Sequence, residues 1–470
     1  MKRAITWAAL VALATIRTSP LHAQSPAVPS DAEIRQILVD RIDRDRQSVG
    51  IVVGVVDIKD GRDARSRRVI TYGALEKGDS RPLNGDTMFE IGSVTKVFTS
   101  LLLADMAQRG EVALTDSVAK YLPADVKVPE QNGRAITLQD LATHTSGLPR
   151  LPTNFAPRDP ANPYADYSVA QLYQFLSTYT LPRDIGSRYE YSNLGGGLLG
   201  YVLARRAGVD YEALVRSRIT GPLAMTSTSI TLSADQQRRL AVGHNDRLAP
   251  VPNWDLPTLA GAGALRSTAN DMLTFVAANL GATPSPLVSA MSAMLTDRRP
   301  TGMPGLDVAL AWHIFTRNGD EIIWHNGGTG GYRSFIGFSP RTKVGVVVLS
   351  NTSTVAGVDD IGLHVLDARL PTMQPPKVHT EVTVDPNLFE GYVGAYQLAP
   401  NFVLTVTREA NRLFIQATGQ PKFEIFAEAA QEYFLKAVDA QLSFVTNAAG
   451  QTTAVILHQN GANVTGRRIN

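Results

Sequence analysis

The stretch from Val97 to Met106 is the strongest constraint on the fold, because seven of its ten positions are apolar and they lie nearly all round a helix. It predicts a helix without a polar face, and Gly110 supplies a stop signal a few residues later. A helix that is apolar all round must be surrounded by other parts of the chain. At 470 residues the chain is too long for one ordinary hydrophobic core, and we expect two domains or more.

Ser93 and Lys96 directly precede this run, at the predicted first turn of the helix. Residues i and i+3 share a helical face, with Cβ atoms about 5–6 Å apart. A desolvated lysine gives up its proton more readily and could then accept the proton of the serine hydroxyl. The spacing therefore indicates a serine nucleophile with a lysine base. The alternative is a helix-capping serine followed by a solvated lysine.

The first 23 residues have the pattern of a signal peptide. Lys2 and Arg3 precede an apolar run from Ala4 to Ile16, and residues 21–23 offer a small-residue cleavage site. The run is too short for a membrane-spanning helix, which needs about 20 apolar residues. The sequence contains no cysteine, which excludes disulfides and thiolate metal sites. We expect a mature protein without a membrane span, located in the periplasm or secreted.

The charge pattern gives no indication of a nucleic-acid partner, since the formal net charge is only +2. One basic cluster is interspersed with acidic residues beside an Asp-Gly turn, which predicts a solvated hairpin tip. The residues of this cluster are Asp60, Arg62, Asp63, Arg65, Arg67 and Arg68.

Strand-like runs stand at both ends of the first part of the chain, at Gly50–Val56, Val69–Leu75 and Val344–Leu349. Helices are predicted to begin near Thr137 and Thr268, each of which has an aspartate three positions later, as in a capping box. Strands at both ends with helices between them predict an α/β (α+β) unit, with a central antiparallel sheet flanked by helices and formed in part by the two ends.

Residues 371–380 carry three prolines and no periodicity, which predicts a linker. We therefore expect a first domain over residues 24–370 and a second over 381–470. The second has short alternating segments that predict an up-and-down antiparallel barrel or a sandwich. These segments are Phe402–Thr407, Leu413–Ala417, Phe423–Phe426, Tyr433–Ala437, Leu442–Val445 and Ala454–Gln459.

Two further segments combine polar side chains with glycine. Tyr191-Ser192-Asn193 precedes three consecutive glycines, where the backbone could approach a ligand closely. His325-Asn326-Gly327-Gly328 precedes a strand-like run at Ser334–Phe338. Taken singly, Tyr191 and Asn193 could be turn residues and His325 a hydrogen-bonded histidine at a sheet edge. A loop around His144 carries no reactive group at that position, and we interpret His144 as structural.

In order and spacing, these segments resemble the serine β-lactamases of class C and the related penicillin-binding-protein-like D,D-peptidases, D-aminopeptidases and esterases. Phe89–Lys96 is similar to the nucleophile motif of that family, and Tyr191-Ser-Asn193 to its Tyr-x-Asn motif. His325-Asn-Gly327 stands where the family usually has Lys-Thr-Gly, and Val344–Asn351 resembles its closing strand. The resemblance covers roughly residues 34–370.

The resemblance implies an acyl-enzyme mechanism. Ser93 would attack a carbonyl carbon, while Lys96 and Tyr191 would move its proton to the leaving group. The backbone N–H groups of Ser93 and Gly328 would meet the oxyanion, and Asn193 would bind the amide of the acyl group. Substrate-binding positions implied by the motifs are Asn193, His325, Asn326, Gly327 and Gly328. No cofactor and no metal are implied.

His325 departs from the family pattern. A lysine would place a permanent charge beside a ligand carboxylate, whereas imidazole, with an unperturbed pKa near 6.5, is mostly neutral at pH 7. The order of the motifs leads us to expect a β-lactamase first, and His325 motivates the alternative, an esterase or a D-amino-acid-specific peptidase of the same fold. An alternative from another class is a protein that binds β-lactams or cell-wall peptides without turnover. The substrate is a small molecule or a peptide in each case.

Other chemistries lack their motifs: the sequence has no Gly-x-Ser-x-Gly, no His-Glu-x-x-His and no Gly-x-x-x-x-Gly-Lys. The segment from about Phe389 to Ile469 resembles the small lipocalin-like barrel attached to some hydrolases of this group. We expect a structural or assembly role for it, with ligand binding as the alternative.

Overall fold

The computed structural model describes residues 28–58, 67–373, 379–399, 402–436, 440–459 and 462–469. The predicted signal peptide lies outside these residues, as do Asp60, Arg62, Asp63 and Arg65 of the predicted hairpin tip. The fold consists of two compact units, divided after Met373. This division falls inside the segment predicted as a linker, whose limits remain a prediction.

The first unit consists of helices and antiparallel strands. Its helices are α1 (Asp31–Val39), α2 (Thr95–Gln108), α3 (Leu138–Ala142), α4 (Val169–Thr178), α5 (Asn193–Ala207), α6 (Tyr211–Val215), α7 (Ala234–Arg239), α8 (Ala269–Asn279), α9 (Val288–Ala293) and α10 (Asp359–Leu366). Its strands are β1 (Gly50–Asp57), β2 (Arg67–Gly73), β3 (Met88–Glu90), β4 (Glu130–Gln131), β5 (Arg134–Ala135), β6 (Arg266–Thr268), β7 (Arg299–Pro300), β8 (Leu306–Val308), β9 (His313–Arg317), β10 (Asp320–Gly328), β11 (Arg333–Ser339) and β12 (Val344–Ser350).

The central sheet has the strand order β2-β1-β12-β11-β10-β9-β8-β7 within the described residues, and all its pairs are antiparallel. β1 and β12 pair directly, with Val53 opposite Val348, which confirms that the two ends of this unit meet in one sheet. Alternate residues of β1 face two different cores, and Val52 and Val53 belong to opposite ones. Both faces of the sheet are therefore covered by helices, so β1 is buried along nearly its whole length.

Helix α2 begins at Thr95 and ends at Gln108, and every residue from Thr95 to Met106 is buried. Gly110 follows with a φ of 72°, which confirms the predicted stop. The apolar run is thus the central helix of the larger core, as its sequence predicts.

The two predicted caps differ in one respect. Thr137 forms the complete capping box at the start of α3, exchanging hydrogen bonds with Asp140. Thr268 caps α8 by accepting from the N–H of Asp271, but the carboxylate of Asp271 accepts from Ser227 and Thr228 instead of returning to the cap. The carboxylate of Asp271 is therefore hydrogen-bonded to residues distant in sequence, and not to the helix cap that the sequence predicts.

The second unit is a closed barrel of eight strands within its described residues, and each strand is antiparallel to the next. Its elements are α11 (Phe389–Tyr392), β13 (Gly394–Ala399), β14 (Phe402–Glu409), β15 (Arg412–Ala417), β16 (Lys422–Ala427), β17 (Glu432–Leu435), β18 (Gln441–Thr446), β19 (Thr452–Gln459) and β20 (Ala462–Arg468). Six strands correspond to the predicted segments. The sequence interpretation missed β13 and β20, which close the barrel by pairing Tyr396 with Arg468.

Aromatic side chains occupy the barrel interior. Tyr392 stacks on Phe444 with ring centroids 4.2 Å apart, and Tyr396 and Tyr433 pack against the same ring. An eight-stranded barrel is just wide enough for side chains to fill. Aromatic side chains therefore fill part of the barrel interior, and the structural or assembly role expected from the sequence stays a prediction.

Among the residues that the structure covers, no helix is both long and apolar enough to cross a membrane.

Candidate active site

A cleft of about 770 Å³ opens in the first unit beside Ser93. Ser93 lies in a 3-10 turn, Gly92–Val94, that leads directly into α2. The N-cap positions of this turn and of α2 are Ile91 and Val94, so Ser93 caps neither of them. Its hydroxyl is free to face the cleft.

Lys96 is almost completely buried, with 2% of its surface exposed. Its Nζ lies 3.0 Å from Ser93 Oγ, 2.9 Å from Asn193 Oδ1 and 2.7 Å from the carbonyl oxygen of Ala262. Burial lowers the pKa of Lys96 well below its usual value, and the positive charge of Arg150 adds to this effect. The alternative of a capping serine with a solvated lysine is therefore wrong.

Tyr191 completes this group. Its ring centroid lies 4.8 Å from Lys96 Nζ, so the amine and the phenol share one site although they are distant in sequence. Burial raises the pKa of Tyr191, and a hydrogen bond with the Ser93 side chain opposes that rise. The structure thus brings together the hydroxyl, amine and phenol that the sequence motifs single out.

Asn193 is the first residue of α5, and its side chain faces two ways. Its Oδ1 accepts from Lys96, and its Nδ2 donates to the hydroxyl of Tyr164 at 3.0 Å. The next turn of α5 makes room for the lysine, because a Cβ at Gly196 would lie only 2.9 Å from Lys96 Cε. The sequence suggests that Gly195, Gly196 and Gly197 lie close to a ligand. In the structure they pack instead against core residues and the side chain of Lys96.

The end of β10 packs directly on the 3-10 turn that contains Ser93. Gly92 has a φ of 48°, and a Cβ there would lie 2.7 Å from the nitrogen of Gly328. A Cβ at Gly327 would lie 2.0 Å from the carbonyl oxygen of Ile91. Close backbone contact therefore sets Gly328 and Ser93 side by side along the cleft, which both residues line.

His325 is buried near Tyr191, with the ring centroids 6.4 Å apart and none of the His325 surface exposed. Its Nδ1 is 2.6 Å from the carbonyl oxygen of Asn326, and its Nε2 has no hydrogen-bond partner in the described part of the chain. Burial lowers its pKa well below the usual value, so the imidazole is neutral near pH 7. The neighbouring Asn326 lines the cleft but donates its amide to Asp359, whose pKa burial raises to about 6.

Two more buried histidines surround Tyr191 and His325. His144 accepts a hydrogen bond from the N–H of Ser192 through Nδ1, and its ring lies 4.5 Å from that of Tyr191. The His313 ring lies 5.2 Å from that of His325, and its Nε2 is 3.1 Å from the hydroxyl of Tyr189. Burial lowers the pKa of His144, as it does that of His325. It also lowers the pKa of His313, to about 4. The imidazoles of His144, His313 and His325 are therefore uncharged near pH 7.

Sequence reasoning missed several cleft residues. Arg150, Tyr164, Trp254 and His313 all line the cleft, and none belongs to a motif with a recognisable spacing. The carbonyl group of Ala262 carries no side-chain signal at all. No group of three or more His, Asp or Glu side chains in the described ranges is arranged to hold a metal ion.

The family model described as Beta-lactamase matches residues 36–368, which is most of the chain. The chain belongs to the Beta-lactamase family. A second model, described as a domain of unknown function (DUF3471), matches residues 378–468.

Relatives of this Beta-lactamase family member include peptidases as well as β-lactamases. The D-alanyl-D-alanine-carboxypeptidase/endopeptidase AmpH of Escherichia coli K12 is 31% identical over 368 residues, covering 75% of this chain and 92% of AmpH. Penicillin-binding protein 4* of Bacillus subtilis is 25% identical over 419 residues, covering 83% and 90%.

Solved structures of the family resemble the first unit. A beta-lactamase/D-alanine carboxypeptidase from Yersinia pestis, complexed with citrate, is 27% identical with a TM-score of 0.61, covering 72% of this chain and 98% of that one. A class C beta lactamase from Rhodobacter sphaeroides is 26% identical with a TM-score of 0.60, covering 72% and 97%. The serine β-lactamase-like fold that the motifs predict is confirmed.

We predict that Gly196→Ala lowers kcat about 10- to 100-fold with little change in KM, because the new methyl group displaces the amine of Lys96. Steady-state kinetics with any hydrolysed substrate measures this. Gly391→Ala is the matched control, since a Cβ there meets nothing within 4 Å. Equal kinetics for both variants would contradict the packing argument.

His313 makes the first unit sensitive to acid. Its folded pKa, about 4, lies below the unfolded value near 6.5, so the unfolded state binds the proton first. The resulting loss of free energy of unfolding is absent above about pH 6.5 and grows to about 3 kcal/mol as the pH falls to 4. We expect His313→Asn to flatten the fall of the thermal midpoint between these pH values. Tyr189→Phe is the control, because it removes the hydrogen bond between Tyr189 and His313 but keeps the imidazole. Its thermal midpoint should fall with pH as steeply as that of the wild type.

Proposed function

We propose that this protein is an exported serine hydrolase that cleaves amide bonds through an acyl-enzyme, with β-lactams as its substrates. One contact carries the proposal: the 3.0 Å distance between Ser93 Oγ and the buried amine of Lys96. A lysine with a lowered pKa holds a larger fraction of neutral amine than a solvated lysine at the same pH.

In the proposed reaction, Ser93 Oγ attacks the amide carbon while its proton passes to Nζ of Lys96. Tyr191, in contact with both groups, carries a proton to the leaving nitrogen as the C–N bond breaks. The backbone N–H groups of Ser93 and Gly328 stabilise the oxyanion. Water then attacks the acyl carbon, and the carboxylic acid product leaves Ser93 free.

The surroundings suit this proton transfer. Within the described residues, the hydrogen-bond partners of Lys96 are a hydroxyl, an amide oxygen and a backbone carbonyl, and none is a carboxylate. An ion pair would hold the proton on the amine, whereas neutral acceptors leave its pKa low. Asn193 both fixes the amine and lines the cleft, where it can bind the amide of the acyl group.

A second candidate function is a D-alanyl peptidase, favoured by the 31% identity to AmpH over 92% of that protein. The same nucleophile and proton path would serve it, since a D-alanyl amide and a β-lactam amide present the same carbonyl chemistry. Ester cleavage remains a third substrate class, and the neutral His325 is the observation that favours it.

We predict that Ser93→Ala loses hydrolysis of a chromogenic cephalosporin by at least about 10³-fold, because the nucleophile is removed. Release of D-alanine from a peptide ending in D-alanyl-D-alanine is measured in parallel, and the larger kcat/KM identifies the substrate class. Ser289→Ala, an exposed serine on α9, is the control. Wild-type rates in Ser93→Ala would refute the mechanism. A persistent acyl adduct by intact mass, without turnover, would establish the binding-protein alternative.

Lys96→Arg tests the base separately. Arginine keeps a positive charge but does not lose its proton in this pH range, so we expect kcat/KM to fall by about 10²- to 10⁴-fold. In the wild type, kcat/KM should fall as the pH drops through the lowered pKa of Lys96, because protonation removes the base. Lys120→Arg, on the surface, should retain the wild-type pH profile. A retained rate in Lys96→Arg would argue against lysine as the base.

A further inference from the structure

Arg150 stands over Tyr191 at the mouth of the cleft. Its guanidinium carbon lies 5.3 Å from the centroid of the Tyr191 ring, and the residue is exposed. Its carbonyl oxygen accepts hydrogen bonds from the N–H groups of Asn193 and Leu194. The start of α5 therefore fixes the backbone of Arg150 relative to the catalytic group, while its long side chain is left free to meet a ligand.

The guanidinium of Arg150 has no anionic partner. Within the described residues it forms neither an ion pair nor a hydrogen bond, and its contact is the face of the Tyr191 ring. Arginines elsewhere on the same unit are mostly paired with Asp or Glu, as Arg183 is with Glu190 at 2.7 Å. An unpaired, pre-oriented cation beside a reactive centre is suited to bind an anion from the substrate.

The cleft has no competing acid. Its lining includes two arginines and no Asp or Glu among the residues that the structure describes. The second, Arg333, donates from Nε and Nη1 to the carbonyl oxygens of Thr354, Thr329 and Tyr332, so part of its hydrogen-bonding capacity is used. Arg150 is therefore the cleft cation with all its donors available.

The position of Arg150 decides which part of a substrate it can reach. In the proposed reaction the Tyr191 hydroxyl gives a proton to the leaving atom, so the leaving group lies beside Tyr191. Arg150 covers the ring of Tyr191. An anionic group on the leaving-group side thus comes within reach of the guanidinium, whereas the buried His325 is neutral and exposes none of its surface.

We propose that Arg150 binds a carboxylate carried by the leaving group and so selects substrates that have one over neutral substrates. This inference rests on the proposed serine-hydrolase function of the same cleft. It explains how a chain without the usual lysine at position 325 can still recognise the carboxylate that β-lactams and D-alanyl peptides both carry next to the scissile amide.

The test uses two aryl esters with the same acyl group, a 3-carboxyphenyl ester and a phenyl ester, which differ only by the carboxylate on the leaving group. In the wild type we expect the carboxylated ester to have the higher kcat/KM. Arg150→Gln should lower kcat/KM for it about 10- to 100-fold, mainly through KM, and leave the phenyl ester within about twofold. Arg150→Lys should recover part of the loss.

Rates are compared at the pH plateau of each variant, because Arg150 also lowers the pKa of Lys96. Arg188→Gln, which removes an exposed charge from residues outside the cleft lining, is the control and should change neither ester. An equal loss on both esters, or no loss on either, would overturn the proposal. Failure of the proposed function is distinguishable, since Ser93→Ala would then hydrolyse the phenyl ester as fast as the wild type.

Discussion

The burial of one amine, that of Lys96, governs the arrangement of the first unit. An ammonium group out of water is costly unless its donors are satisfied. Here the serine hydroxyl, an amide oxygen and the carbonyl of Ala262 satisfy them. These partners come from three separate parts of the chain, so α2, α5 and the 3-10 turn Ala260–Ala262 must converge on one point. Gly196 makes this burial possible, because a larger residue there would occupy the volume of the Lys96 side chain.

Features that depend on local spacing could be predicted from the sequence. The contact between Ser93 and Lys96 follows from an i, i+3 spacing in an apolar helix, and Thr137 and Asp140 meet through a four-residue capping pattern. The alternating segments of the barrel also follow from period two. β20 could not be predicted because it carries glycine and arginine where β-branched residues would indicate a strand. Its register with Tyr396 arises only when the barrel closes.

Features that depend on distant parts of the chain could not be predicted. The sequence names Tyr191, but only the packing of α5 against α2 explains why its ring lies 4.8 Å from the amine. Period two places His325 and Asn326 on opposite faces of β10 without saying which face is the cleft. The burial of His325 and the position of Asn326 in the cleft lining show that the imidazole faces inward. The acceptor role of the Ala262 carbonyl has no side-chain signature, so no residue pattern can reveal it.

The charges of the site separate by depth. Deep groups, which are the three histidines and Lys96, have lowered pKa values because water is excluded, so the proposed reaction would move a proton among nearly neutral partners. Permanent charge in the cleft lining is carried by Arg333, which is partly buried, and by Arg150, which water still solvates. A lysine at position 325 would set a second cation next to Lys96 and lower its pKa further. Imidazole at that position avoids this repulsion, and the binding of anions is then left to residues at the rim.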